Sequence, residues 1–170
     1  MTLADTLERG TAFVAVLLIG LMAGFFFAFA IDVVPAFAEL EAGPYVQVQQ
    51  HINRVVRSAG FGAVYFGAAL SGLLAALAAG VAGHCRLALG WLALACVWFV
   101  AVLWITRSIN VPINDALALW NPAAPPAAWQ VARERWNEAN QWRSWTSGLC
   151  FCAALALAAW RSPEHRASAA

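Results

Sequence analysis

Four stretches of the chain are apolar and free of charge, apart from Asp32 near the end of the first: about Thr11 to Pro35, Ala59 to Val81, Leu87 to Ile105 and Trp145 to Trp160. A helix that crosses a membrane needs roughly 20 mostly apolar residues. The pattern therefore predicts an all-α fold, a four-transmembrane-helix bundle forming a single membrane domain over residues 1–170. Gly20-Leu-Met-Ala-Gly24, Gly67, Ala68, Gly72, Ala76 and Gly80 place small residues along the first two spans. Small residues let helices approach closely in lipid, so these positions read as packing contacts.

The connections are unequal. A tight turn at Gly83-His84-Cys85-Arg86 makes an antiparallel hairpin of spans two and three. The connections at about Ala36 to Ser58 and Thr106 to Ser144 are long, and strict alternation puts both on one side of the membrane. Gly43-Pro44 is a break, after which a helical pattern runs through His51 into span two. Asn121-Pro-Ala-Ala-Pro-Pro reads as a turn, after which a helical pattern leads into span four. Helices two and four are thus expected to extend beyond the membrane on the same side. A faint internal repeat pairs Ile31-Asp32-Val-Val-Pro35 with Ile109-Asn110-Val-Pro112.

Composition strengthens the membrane reading. The chain is 62% hydrophobic and 11% charged, against about 25% charged for a soluble domain. The formal net charge is +1, with no basic run, which gives nucleic acid no foothold. The first apolar stretch is long, and Asp5 and Glu8 precede it beside Arg9, so it reads as a permanent helix rather than a cleaved leader. Cys85, Cys96, Cys150 and Cys152 show no CxxC or Cys/His metal spacing and read as small apolar residues.

Polar residues gather on the side of the long connections. One stripe is Gln47, Gln50, His51, Arg54 and Arg57, flanked by Asn53. Another is Trp129, Arg133, Trp136, Asn140, Arg143 and Ser147. The end of helix three adds Thr106, Arg107, Asn110, Asn114 and Asp115, with Pro112 freeing a carbonyl near Ser108. Arg133, Arg135, Glu134, Glu138, Trp120 and Trp129 fit an ordinary membrane interface. His51, Asn53, Asn110, Asn114, Asn140 and Arg143 lie close to lipid-buried sequence, where an amide needs a partner. One imidazole, several amides and one guanidinium at the mouth of a bundle offer a base, neutral donors for an oxyanion and a cation. His51 is the only histidine on this side, which speaks against a haem held by two histidines, and no spacing supports a metal site.

Gly20 to Phe29, Val34-Pro35-Ala36, Gln50-His51-Ile-Asn53, Thr106, Asn110-Val-Pro112-Ile-Asn114-Asp-Ala-Leu117 and Trp136-xxx-Asn140-xx-Arg143-Ser144 together resemble the anthrone oxygenase family of small four-helix membrane proteins. Where relatives often carry Trp-Asn-His, this chain has Ala139-Asn140-Gln141. The resemblance implies a cofactor-independent oxygenase that turns a polycyclic phenolic ketone into a quinone by way of an enolate. On that reading His51 is the base and Arg143 stabilises developing charge. Asn53, Asn110, Asn114 and Asn140 bind the substrate and Trp136 supplies an aromatic wall. The partners implied are a lipophilic aromatic molecule and membrane lipid, in a multi-pass protein of the cell membrane; the glycine motif permits self-association. The alternatives are a non-enzymatic membrane accessory protein and a small-molecule-binding protein.

Overall fold

The computed structural model describes residues 2–159. The expected end of span four at Trp160, and the tail with Arg161, His165 and Arg166, lie outside them. All regular structure among the described residues is helical. Five helices follow in order: α1 (Leu3–Ala38), α2 (Ala42–Val56), α3 (Ala59–Val81), α4 (Cys85–Leu117) and α5 (Trp129–Ala159). Three of them, α1, α3 and α4, are long and apolar enough to cross a membrane.

Local chemistry sets the boundaries. Thr2 caps α1, its side chain accepting from the Asp5 N–H at 3.2 Å while the Asp5 carboxylate takes the Thr2 N–H at 2.8 Å. The α3–α4 turn needs Gly83, whose φ of +81° is left-handed. The His84 N–H then reaches back to the Ala79 carbonyl at 2.9 Å, and the Gly83 N–H to Gly80 at 3.0 Å.

One expectation is corrected here. The segment before span two is not a continuous extension of it. The chain leaves helical geometry at Arg57 (φ −74°, ψ 34°), and Ser58 restarts it as an extended N-cap accepting from the Phe61 N–H at 3.2 Å. A serine followed by Gly60 and Gly62 favours the cap over helix continuation. The helical run expected to lead into the fourth apolar stretch is continuous, one helix from Trp129 to Ala159.

Two helices carry wide π-type turns just before a proline. In α1 the turn covers Phe29–Val33 and precedes Pro35; in α4 one wide stretch covers Phe99–Trp104 and a second, Thr106–Asn110, precedes Pro112. The Val34 N–H bonds to Phe29 and the Val111 N–H to Thr106, five residues back in each case. Proline has no N–H and its ring crowds the preceding turn, so widening that turn lets each helix continue. The carbonyl of Trp104 is taken up by Ser108 Oγ at 2.7 Å, and that of Val102 by Thr106 Oγ1 at 2.7 Å.

Helix α1 packs along α3 and α5, α3 packs on α4, and α4 on α5. Small residues make up a large share of the interior between them. Ala12, Ala15, Ala68, Ala75, Ala79 and Ala154 are buried, whereas Phe13, Leu17, Phe66, Leu70, Leu77 and Leu89 face outward. That inversion suits a lipid surround, where close backbone packing replaces the hydrophobic effect. Larger side chains, among them Phe26, Tyr65, Trp91, Trp98 and Val102, fill the space between the small residues along the bundle.

Outside this core, α2 lies on the end of α4. Gln50 Nε2 donates to the Leu117 and Trp120 carbonyls at 3.0 and 2.9 Å, capping the last turn of α4. Arg57 pairs with Asp115 at 2.8 Å, and Tyr45, Val46 and Leu117 form a small apolar cluster beneath. Burial pushes the Tyr45 hydroxyl up to about 12, with nearby Arg133 opposing the shift, so it stays a neutral phenol. At the start of α2 a Cβ on Gly43 would lie 2.8 Å from the Pro122 carbonyl oxygen, a backbone atom that cannot swing aside. Gly43→Ala is therefore expected to cost about 1–3 kcal/mol, read as a lower melting temperature in detergent. Gly60→Ala, with nothing within 4 Å, serves as the neutral comparison.

Candidate functional site

The end of α4 and the middle of α5 build a buried polar cluster. On α5, Trp136, Asn140, Arg143, Ser144 and Ser147 follow the helical repeat and are all buried. On α4 the wide turn places Thr106 and Asn110 opposite them. Asn110, 1% exposed, donates through Nδ2 to the Trp136 carbonyl at 3.2 Å. One turn further on, Asn114 Oδ1 accepts the Trp136 indole N–H at 2.8 Å. Two asparagines on α4 thus fix the backbone and the ring of one tryptophan on α5.

Arg143 is the centre of the cluster and is only 5% exposed. Nη1 donates to Thr106 Oγ1 at 3.0 Å and Nη2 to Asn140 Oδ1 at 2.9 Å. The guanidinium sits 4.8 Å from the Phe26 ring centroid and 5.6 Å from that of Trp136. Helix α1 is held at this level by Ser144, whose hydroxyl donates to the Phe26 carbonyl at 2.9 Å. The Phe29 ring lies 5.3 Å from Trp136 and extends the aromatic lining.

The cluster is polar but incompletely satisfied. Arg143 Nε, Asn140 Nδ2 and Asn110 Oδ1 are buried and have no hydrogen-bond partner. No carboxylate among the described residues pairs with Arg143, whose bonded partners are neutral. A buried cation without a counter-ion is costly, and orphaned buried donors point to groups kept for something else. Two orphaned donors beside a cation suit an anionic oxygen, and the orphaned amide oxygen suits a hydroxyl.

The structure joins Asn110, Asn114, Trp136, Asn140 and Arg143 by direct contacts. It places two other candidates elsewhere. Asn53 is buried on α2 with its Nδ2 unpartnered, and no hydrogen bond links it to the Arg143 cluster. His51 is exposed on the outer face of α2, with Nδ1 2.8 Å from the Gln47 carbonyl of its own helix. Among the described residues no group of three His, Cys, Asp or Glu could hold a metal ion.

Other members of the cluster were less visible in sequence. Thr106 and Ser144 fall within the family-like motifs, but nothing in them marks a seat for Arg143. Phe26 has no signal beyond being apolar. Tyr65 is 8% exposed and belongs to the same buried cluster as Phe26 and Val102. It is one of two tyrosines in the chain and stands in an apolar span where phenylalanine would pack as well.

Removing the Asn114 amide tests how far this lattice is structural. Asn114→Leu leaves the Trp136 N–H without an acceptor at a partly buried site. A loss of about 1–3 kcal/mol is expected, measured by thermal unfolding in detergent. Trp136→Phe in the same background should recover part of it.

With this geometry in view, comparison with known proteins is informative. A family model described as anthrone oxygenase matches residues 54–156. No curated protein and no solved structure gives a match. The matched segment is more than half of the chain, starts just past His51 and Asn53, and contains every residue of the α4–α5 cluster. The chain belongs to the anthrone oxygenase family.

Proposed function

We propose that the protein is a cofactor-independent membrane oxygenase, which oxidises the activated CH2 of a polycyclic phenolic ketone to a quinone with dioxygen. The observation that carries this reading is Arg143, a buried guanidinium with neutral partners and an unpartnered Nε, next to the unpartnered Asn140 Nδ2. An aromatic enolate supplies the missing negative charge and accepts both bonds. Trp136, Phe29 and Phe26 give the flat walls such a ligand needs.

The chemistry asks little else of the protein. The CH2 is acidic because its carbanion is the enolate of an aromatic system, and an electron-rich enolate reacts with dioxygen directly. Donors already aimed at the oxyanion stabilise it without reorganising. Asn110 and Asn114 hold Trp136 in place, and Asn110 Oδ1 accepts a phenolic hydroxyl. His51, outside the cluster with its Nε2 unbonded, takes the first proton before the anion is buried. Asn53, buried on the same helix two residues after His51, binds the substrate on its way in.

In the same reading α5 is the fourth span. Its apolar half, from Ser147 onward, packs against α1 and α4, both long enough to cross. The protein is then a four-helix membrane bundle with its site at the level of one interface. Lipophilic substrate arrives from the bilayer.

The test uses membranes containing the protein and matched empty membranes, supplied with a hydroxylated anthrone. Oxygen uptake and quinone absorbance are followed together. Turnover above the empty membranes is expected, and His51→Ala should lower it by about a hundredfold. Equal rates with and without the protein, across a panel of phenolic ketones, would overturn the proposal.

A further inference from the structure

Two charged side chains on the membrane-length helices stand exposed and unpaired. Asp32 lies in the wide turn of α1 and Arg107 in the second wide turn of α4. Among the described residues the ion pair that forms joins Arg57 to Asp115 and involves neither of them. Their exposed neighbours are apolar, Phe27 and Ile31 beside Asp32, Val100 and Trp104 beside Arg107. Charges within apolar spans are costly in lipid, and as a rule they pair with one another.

The two charges stand on opposite edges of the bundle. Helices α1 and α4 each pack on α3 and α5, so they lie across its diagonal. Both run antiparallel to α5. On one side Gly20 faces Phe151 and Ser144 bonds the Phe26 carbonyl; on the other Gly90 faces Leu157 and Arg143 bonds Thr106. Helices α1 and α4 are therefore parallel, and Arg143, which touches both, sets Thr106 level with Phe26. Arg107 is then level with Phe27, and Asp32 lies about 7 Å further along the axis at 1.5 Å per residue. An arginine side chain covers that height by snorkelling.

The shapes of the two edges also match. An apolar groove of about 550 Å³ runs along α1, lined by Leu17, Gly20, Leu21, Gly24 and, from α5, Phe151. Space is open at Gly24, where a Cβ meets nothing within 4 Å. The wide turn, bonded five residues back, brings Asp32 round to the line of Gly24 and Ala28. On the opposite edge Val100 and Trp104 stand exposed on α4. The level shared through Arg143 puts them at the depth of Gly20 to Gly24. One edge is a groove beneath an anion, and the other is a ridge beneath a cation.

We propose that these edges pair between copies of this chain. Val100 and Trp104 of one copy fill the α1 groove of the next, and Arg107 of the first meets Asp32 of the second. Copies related by an axis along the membrane normal keep their depth, as this pairing requires. The edges lie on opposite sides of the bundle, so the contact is heterologous. Two copies leave one groove and one ridge free, and a closed assembly takes three or more. Opposite charges fix the direction, because groove against groove would set carboxylate against carboxylate. The pairing is independent of the reaction proposed above.

The experiment is disulfide trapping in membranes carrying the full chain, with its own four cysteines changed to alanine. Ala28 and Ser108 are exposed at matching depth on the two edges. With Ala28→Cys and Ser108→Cys in one chain, oxidation by copper phenanthroline should give cross-linked species of three or more copies. Either cysteine alone should leave monomer. Adding Asp32→Arg or Arg107→Asp should abolish the cross-linking, and adding both should restore it. Gly24→Leu fills the groove with its own side chain and should abolish it too. This last variant carries the test if a charge variant fails to fold, judged by its melting temperature in detergent.

Monomer alone from the double-cysteine chain, or species that stop at two copies, would overturn the inference. So would cross-linking as strong from one cysteine as from two, or indifferent to both the charge reversals and Gly24→Leu.

Discussion

Arg143→Met is expected to leave a folded protein that takes up oxygen at least about a hundredfold more slowly with a phenolic ketone. The two halves of that result have separate causes. In the unliganded protein Arg143 is 5% exposed and no carboxylate pairs with it. Taking such a cation out of water costs several kcal/mol even after relaxation. The bonds to Thr106 and Asn140 and the faces of Phe26 and Trp136 offset only part of this. Methionine of similar length removes that cost and leaves Asn140 Oδ1 without a partner, a loss of about 1–3 kcal/mol. The two effects nearly cancel, so the melting temperature in detergent should hold or rise.

Activity does not share in that cancellation, because on the proposed mechanism the enolate loses the guanidinium that balances its charge. A protein that keeps its stability and loses its rate identifies a cation retained for a ligand. The opposite pairing, a fall of about 3–5 kcal/mol with activity per folded molecule unchanged, would identify a structural cation and remove the basis of the proposed function. Measuring both quantities on one preparation separates the cases.

How far this site could be read in the sequence differs between its two helices. On α5 the spacing of Trp136, Asn140, Arg143 and Ser147 gives one face, and that face is buried because the helix is continuous. On α2 the same reasoning does not carry. Its inward side is Tyr45, Val46, Gln49 and Asn53, while Gln47, His51 and Arg54 look outward together with Val48 and Val55. Polar and apolar residues stand on both faces, so the pattern does not say which one turns inward. That depends on contacts with α4 through Gln50 and Arg57, which join residues 58 or more apart in sequence. The break at Ser58 was hidden for a related reason: helical propensity is a weak prior, and one capping side chain suffices to end the run. The α4 motif was legible as a motif, but the wide turn that sets Thr106 and Asn110 across from α5 follows from Pro112 only when the backbone is in view.

Trp98→Ala should be the most damaging change outside the site, with an expected loss of about 3 kcal/mol, at the lower end of what a buried aromatic truncation costs in a soluble core. Trp98 is fully buried on α4, within the same cluster as Phe26 and Val102. In a lipid surround the transfer part of the usual penalty largely disappears, because the unfolded helices leave the side chain in hydrocarbon. What remains is the cavity, whose walls no longer have the indole ring to attract them by dispersion. Trp98→Phe is the informative partner. It keeps most of the ring and deletes an indole N–H that has no acceptor, so it should lie within about 1.5 kcal/mol of wild type. The consequence reaches the site through one helix face. Trp98, Val102 and Thr106 follow at intervals of four, and the Val102 carbonyl fixes the hydroxyl on which Arg143 rests. A void at Trp98 lets that turn relax and moves the seat of the guanidinium. Oxygen uptake per folded Trp98→Ala molecule should therefore fall by about tenfold, while Trp98→Phe keeps the wild-type rate. If Trp98→Ala lost stability alone, the scaffold and the site would be independent, and the wide turn, rather than the packing beneath it, would be what positions Arg143.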